Sequence, residues 1–300
     1  MSDLILDANE SAFFSRELTA VENETYDIQY PELKARSIIP VNSSVNAGAE
    51  TITYRSFDQI GEAKVISNAA TDLPRVDVLG TEYSRPVKTV GDAFGYSVVE
   101  IKNANMAGRA LSTDRAAAAR KAIEYKLDDI AALGSAVDGI ATGFLNDANV
   151  TISATGGAWG SATPATIIAD FTAALTRIND ASKGVEMANT VVLPDAKYSQ
   201  IATTPRSATS DSTILAYILA NFPTITEIIP WYKAKTAGVS AVNRMVVYNR
   251  NPSKLKQHIT DEYQQLAPQA KGLEMIVNCM ARTAGTTIYY PRSMDYTDGI

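Results

Sequence analysis

Residues 50 to 67 constrain this chain most, because TITYRSF and EAKVIS are β-rich runs on either side of Asp58-Gln59-Ile60-Gly61, a hairpin pattern with a four-residue turn. Successive side chains of a strand point to opposite faces, so Ile52 and Tyr54 fall on one face and Phe57 on the other. A ribbon that is apolar on both faces has no wet side to spare. A two-stranded hairpin is also marginal in water by itself. The ribbon must therefore lie on another surface, and the expectation is that a neighbouring copy of the chain supplies it.

Nothing else in the composition offers an easier reading. Three hundred residues, 46% hydrophobic and 20% charged, suit a folded chain with one large core or two modest ones. No stretch approaches the roughly 20 uninterrupted apolar residues of a membrane-spanning helix, and MSDLILDANES lacks the basic and apolar regions of a signal peptide. The chain is expected to be made and kept in the cytosol, with no membrane partner. One cysteine, Cys279, leaves no internal disulfide, and no Cys or His cluster suggests zinc. A net charge of -6, with no basic run longer than two residues, argues against phosphate-dominated binding of nucleic acid.

Along the chain, Ser11 to Thr25 reads as a helix and Tyr26 to Pro40 as an extended arm with little of its own to pack against. PVKTV and FGYSVVEIKNA read as two strands broken at Gly91-Asp92. They feed a long helix over Ser112 to Leu133, capped by Ser112 or Thr113 and stopped at Gly134. Ala119, Ile123, Leu127 and Ile130 form its apolar stripe, while Asp128 and Asp129 fall on the remainder. A Gly, Ser and Thr-rich connector, Thr151 to Thr163, leads to a helix begun by Thr163-Pro164 and ended at Lys183-Gly184. Strands at Thr190 to Leu193, Thr224 to Ile229 and Arg244 to Tyr248 then alternate with helices after Pro194 and over Ser212 to Asn221. LKQHITD, GLEMIVNCMAR and TTIYYP close the chain as strands separated by Pro268 and Gly285.

Residues that suggest chemistry have plainer readings. Gly156-Gly157-Ala158-Trp159-Gly160 precedes a helix but lacks the Lys-Ser/Thr ending of a phosphate loop, so it reads as a connector. His258 is the sole histidine and has no nucleophile signature beside it. Cys279 lies in an apolar strand and reads as a buried thiol. Asp128-Asp129 and Asp261-Glu262 lack metal-loop spacing and read as solvated faces. No catalytic, cofactor-binding or metal residue is assigned. Trp159 and Trp231 suit either an interface or a core. The candidate contacts between copies are Ile52, Tyr54, Phe57, Lys64, Val65, Ile66 and Trp231.

Read in order, the hairpin AETITYRSFDQIGEAKVI, DLPRVDV, the helix RAAAARKAIEYKLDDIAALG, NTVVLPDAKYSQI, STILAYILANFP and the closing PQAKGLEMIVNCMARTAGTTIYYPRSMDYTDGI resemble the major capsid proteins of tailed bacteriophages, whose Hong Kong phage fold is shared with encapsulins. The resemblance implies an α+β fold in four parts. These are an N-terminal arm (1–48), an extended hairpin loop (49–80), a peripheral domain with a long spine helix (81–140 and 250–300) and an axial α/β domain (141–249). It further implies a non-enzymatic subunit that assembles with itself into pentamers and hexamers of an icosahedral virion shell in the host bacterial cytoplasm. Such a shell would hold packaged DNA without sequence-specific binding. A separate scaffold protein, a portal and a decoration protein would be its other partners, and an encapsulin-type compartment shell is the alternative.

Overall fold

The structure, a computed structural model, describes residues 31–61, 75–107, 114–207 and 209–300. The expected helix at Ser11 to Thr25 and the cap residues Ser112 and Thr113 lie outside them. In chain order the elements are α1 (Ala35–Ile38), β1 (Val41–Asn42), β2 (Thr51–Ile60), β3 (Asp77–Pro86), β4 (Lys88–Ser97), α2 (Val98–Ala107), α3 (Asp114–Leu133), β5 (Thr151–Ala154), α4 (Pro164–Ala181), β6 (Thr190–Leu193), α5 (Asp195–Thr203), α6 (Ile214–Asn221), β7 (Glu227–Pro230), β8 (Arg244–Tyr248), β9 (Leu255–Gln265), β10 (Gln269–Lys271), β11 (Glu274–Ile288) and β12 (Met294–Asp298). No described helix is long and apolar enough to cross a membrane.

Three sheets organise these elements. In the first, β11 pairs antiparallel with β4, β9 and β10, and β1 adds parallel to β9. The second runs β5-β12-β8-β6-β7, and the third is the ribbon β2-β3 alone. Helix α3 lays Ala119, Ile123 and Leu127 onto Cys279 and Ala281 of β11, so the predicted stripe is the packed one. Gly134 follows at φ +74°, the left-handed stop that the sequence led us to expect. Around the second sheet, Ile167, Phe171 and Ile178 of α4 pack with Ile201 of α5 and Ile214 and Ile218 of α6. Thr163 caps α4 by accepting the Thr166 N–H at 3.3 Å.

Several expectations fail for identifiable reasons. The stretch VVEIKNA is helix α2, because Ser97 and Glu100 make a reciprocal cap: the Ser97 hydroxyl accepts the Val99 N–H at 3.3 Å and the Glu100 carboxylate accepts the Ser97 N–H at 2.9 Å. PVKTV and FGYS are one strand, β4, since an unbroken antiparallel register with β11 runs through Gly91 and Asp92. Gly285 does not end a strand. At φ +71° it sits in a bulge inside β11, where a Cβ would come within 2.9 Å of Ile140 Cγ2. The last strand, β12, was expected in the 250–300 part of the peripheral domain, yet it pairs with β8 and β5 in the second sheet.

The largest departure lies in the supposed arm. Ala35, Ile38 and Ile39 are fully buried in a cluster with Trp231, Tyr248 and Phe144. Asp128, expected on a solvated face, is buried. Its carboxylate accepts the Ala35 N–H at 2.8 Å and meets the Lys233 ammonium at 2.5 Å as an ionic contact without hydrogen-bond alignment. The Tyr248 hydroxyl donates to the Ile38 carbonyl at 2.7 Å, and the Gln257 N–H donates to Pro40. Residues 34–42 are therefore part of the body, held by both larger sheets and by α3.

Candidate inter-subunit surface

The ribbon exists, but its second strand is not the expected one. Asp58, Gln59 and Ile60 continue β2 rather than turning, and β2 pairs with β3 from Thr51↔Pro86 to Ile60↔Asp77. Cross-strand matching explains this register. Tyr54 stacks on Tyr83 with ring centroids 5.1 Å apart, Arg55 pairs with Glu82 at 3.0 Å, and the Phe57 ring lies over Gly80, where a Cβ would come within 3.2 Å of it. These pairs outweigh a local turn. Lys64, Val65 and Ile66 lie outside the described residues.

Among the described residues, the base of the ribbon is what is tied to its own body. The Arg85 guanidinium donates to the carbonyl and hydroxyl of Thr142 at 3.2 and 3.1 Å and lies 3.6 Å from Asp147. Arg282 donates to the carbonyls of Ala47 and Ala49. Tyr289 meets Tyr54 edge to face at 4.8 Å, and burial there pushes the Tyr54 hydroxyl up from its ordinary pKa. Tyr289 also contacts His258, whose ring lies between the Asn42 amide at 3.4 Å and the Tyr289 hydroxyl at 3.0 Å. Burial first, then the positive charges of Lys256 and Arg85, lower the His258 pKa to about 4.

Beyond the base, apolar groups face outward. Phe57 is 67% exposed, and Val76, Val78, Leu79 and Tyr83 are exposed with it. By register, Tyr83 and Leu79 share the face of Tyr54, and Val78 shares that of Phe57. Of the predicted contacts, Phe57 is free. Ile52 and Tyr54 are half-buried against their own chain. Trp231 is corrected: it is 1% exposed within the chain, packed on Phe144 at 6.1 Å between centroids, so no neighbour can reach it. Trp159 is equally buried and donates to Asp170 at 2.8 Å, so the glycine-rich connector serves to seat a core side chain. Sequence reasoning missed Val78, Leu79 and Tyr83, although the alternation in VDVLGTEY, with a glycine to receive an aromatic ring, carried the signal.

Groups that could do chemistry do not converge here. Among the described residues no three His, Cys, Asp or Glu side chains are placed to hold a metal. Cys279 is buried, with the Tyr263 hydroxyl 3.3 Å from its sulfur. The family model described as major capsid protein matches residues 61–300. The chain belongs to the major capsid protein family. As a member it is a structural subunit of a capsid, which is assembled from many copies, and the encapsulin-type alternative is not favoured. Solved structures share the fold. The capsid of Myoviridae phage XM1 is 21% identical with a TM-score of 0.86, over 97% of this chain and 100% of that one. A Mycobacterium phage Bobi chain is 14% identical with a TM-score of 0.63, over 93% and 94%. A virus-like particle from Pyrococcus furiosus is 12% identical with a TM-score of 0.58, over 87% and 91%. A comparison with curated proteins gives no match.

Proposed function

We propose that this major capsid protein forms pentamers and hexamers of an icosahedral head around double-stranded DNA, and that the ribbon of each copy lies across the peripheral domain of the next. One observation carries this reading: among the described residues β2 and β3 pair only with each other, and they present apolar side chains on both faces. In the proposed division, α3 and the first sheet are the peripheral domain and the second sheet with α4 to α6 is the axial domain. Fully covering a side chain such as Phe57 or Leu79 is worth about 1.5–3 kcal/mol. Many weak, repeated contacts of this size make a closed shell cooperative. The subunit has no catalytic task. Assembly takes place in the host bacterial cytoplasm, with a scaffold protein, portal and decoration protein as separate chains, and the DNA is enclosed without base-specific contact.

The test is a double substitution, Phe57→Asp with Leu79→Asp, in the full chain. The variant should fold with an unchanged circular dichroism spectrum and give no particles by electron microscopy under conditions where the unaltered chain assembles. Particles of normal size and yield from the variant would refute the role given to the ribbon.

A further inference from the structure

The ribbon is long and its attachment is narrow. At about 3.3 Å per residue the ten residues of β2 make a lever about 30 Å long, so a swing of about 10° at the base carries the far end about 5 Å. Pre-organised interfaces shift by about 1 Å or less on binding, so the direction of the lever before assembly decides whether its contact can form. The base has room to swing. A cleft of about 180 Å³ opens beside it, lined by Ser84, Arg85 and Pro86 of β3 and by Gly139, Ile140 and Thr142 of the body. Arg282 reaches the backbone ahead of β2, and Tyr289 meets Tyr54 by ring contact. Among the described residues, Arg85 supplies the ribbon's side-chain hydrogen bonds to the body.

What Arg85 grips is fixed. Thr142 and Asp147 lie on the crossing from α3 to β5, and that crossing is anchored from two sides. Gly143 presses so close to the end of α3 that a Cβ would lie 2.6 Å from the Ala132 carbonyl carbon. The Phe144 and Leu145 N–H groups donate to the carbonyls of Ala131 and Ala132 at 2.9 and 2.8 Å, and both side chains are fully buried. From the second sheet, the Tyr296 hydroxyl donates to the Phe144 carbonyl and the Arg244 guanidinium to that of Leu145, each at 2.5 Å. Asp147 is buried too. Its carboxylate accepts the Asn149 N–H at 2.9 Å and lies 3.6 Å from Arg85. A planar guanidinium that bonds the Thr142 carbonyl and hydroxyl while facing a buried carboxylate is held in one orientation, which a point charge on a flexible stem would not be.

We infer that Thr142 and Asp147 are positioning residues that act through Arg85 to aim the ribbon before it meets another copy. This rests on the ribbon contact proposed above and adds what sets the ribbon's direction. The test measures that direction in unassembled subunits of the full chain, spin-labelled at Val78→Cys on the ribbon and Ala173→Cys on α4, both exposed, with Cys279 buried and unlabelled. The distance distribution should be narrow in this parent, and Arg85→Gln should broaden it about twofold or more without changing the circular dichroism spectrum. Label-free Arg85→Gln should need about tenfold more protein to assemble, because the ribbon must find its direction during binding. Arg85→Gln leaves a buried carboxylate without its cation. Should it fail to fold, Arg85→Gln with Asp147→Asn removes both charges and must broaden the distribution as much, since the groups act as one clamp. A broad distribution already in the parent, or one left narrow in whichever variant folds, would overturn the inference. A broadened distribution with an unchanged assembly threshold would overturn it too. The ribbon contact itself is judged separately, by Phe57→Asp with Leu79→Asp.

Discussion

Two neighbouring stretches, residues 34–42 and the ribbon of β2 with β3, look alike in the sequence: both are extended and apolar, and neither has an obvious partner nearby. In the folded chain they have opposite fates. The first is sealed, with Ile38 and Ile39 fully buried and its backbone bonded to α3, β8 and β9. The second leaves Phe57, Val78 and Leu79 in water. What separates them is the availability of complementary groups within the chain. Asp128, Tyr248 and the edge of β9 offer the first stretch an acceptor, a donor and a ladder, whereas among the described residues the ribbon beyond Tyr54 is paired with its own second strand alone.

The sharpest way to break this contrast is Ile38→Asp. An unpaired carboxylate in that site loses the apolar packing of Ile38 and adds the desolvation of a charge, together at least about 4 kcal/mol. Chemical denaturation should show a subunit that is unfolded or barely folded in buffer. A well-folded variant, losing under about 1 kcal/mol, would mean that residues 34–42 are a detachable arm after all.

Legibility follows the same line. Features set by neighbours in sequence were readable: the stripe of α3, the Thr163-Pro164 start of α4, the strand Arg244–Tyr248. Features set by distant partners were not. Nothing near Ala35 announces Asp128, 93 positions away, and the pairing of Tyr54 with Tyr83 competes unseen with a plausible local turn. The helix α2 is a different kind of miss, since Ser97 and Glu100 spelled its cap in plain view while β-branched valines argued for a strand. As for exposure, Phe57 was legible because alternation along the strand turns it outward. Trp231 was not, because a large aromatic beside a turn has the same appearance whether its cover comes from inside or outside.

A second prediction uses a residue that lies between the two stretches. His258 holds Asn42 of the first stretch and, through Tyr289, leans on Tyr54 of the ribbon. Because Asn42 donates to Nδ1, the neutral ring carries its proton on Nε2 and donates it to Tyr289. Its pKa is about 4 when folded, against an ordinary 6.5. Above pH 6.5 both states are neutral and the full stability is present. As pH falls the unfolded chain takes up a proton that the folded chain refuses, so stability drops by about 1.4 kcal/mol per pH unit until the folded ring titrates as well, about 3 kcal/mol in all. Urea titrations between pH 7 and 4 should show this slope, and His258→Gln should flatten it. If His258→Gln retains the full slope, another group is responsible and the junction is not a titrating one.

The smallest effect should come from Arg55→Ala, which removes the ribbon's own ion pair. Arg55 and Glu82 are 3.0 Å apart, as close as many buried pairs, but their side chains are 70% and 57% exposed. Water and salt already screen such a pair, and holding two long side chains in place consumes much of what remains, so its loss should cost the isolated subunit about 0.3 kcal/mol. The Asp128–Lys233 contact, at 5% and 15% exposure, has no such screening, and opening it would strand a buried carboxylate. Both distances, 3.0 and 2.5 Å, lie within ion-pair range, and burial is what separates the two. Denaturant midpoints measured on unassembled Arg55→Ala subunits decide the matter. A loss above about 1 kcal/mol would show that the ribbon contributes to the stability of its own subunit, and that its exposed faces are less dependent on a neighbouring copy than their apolar side chains imply.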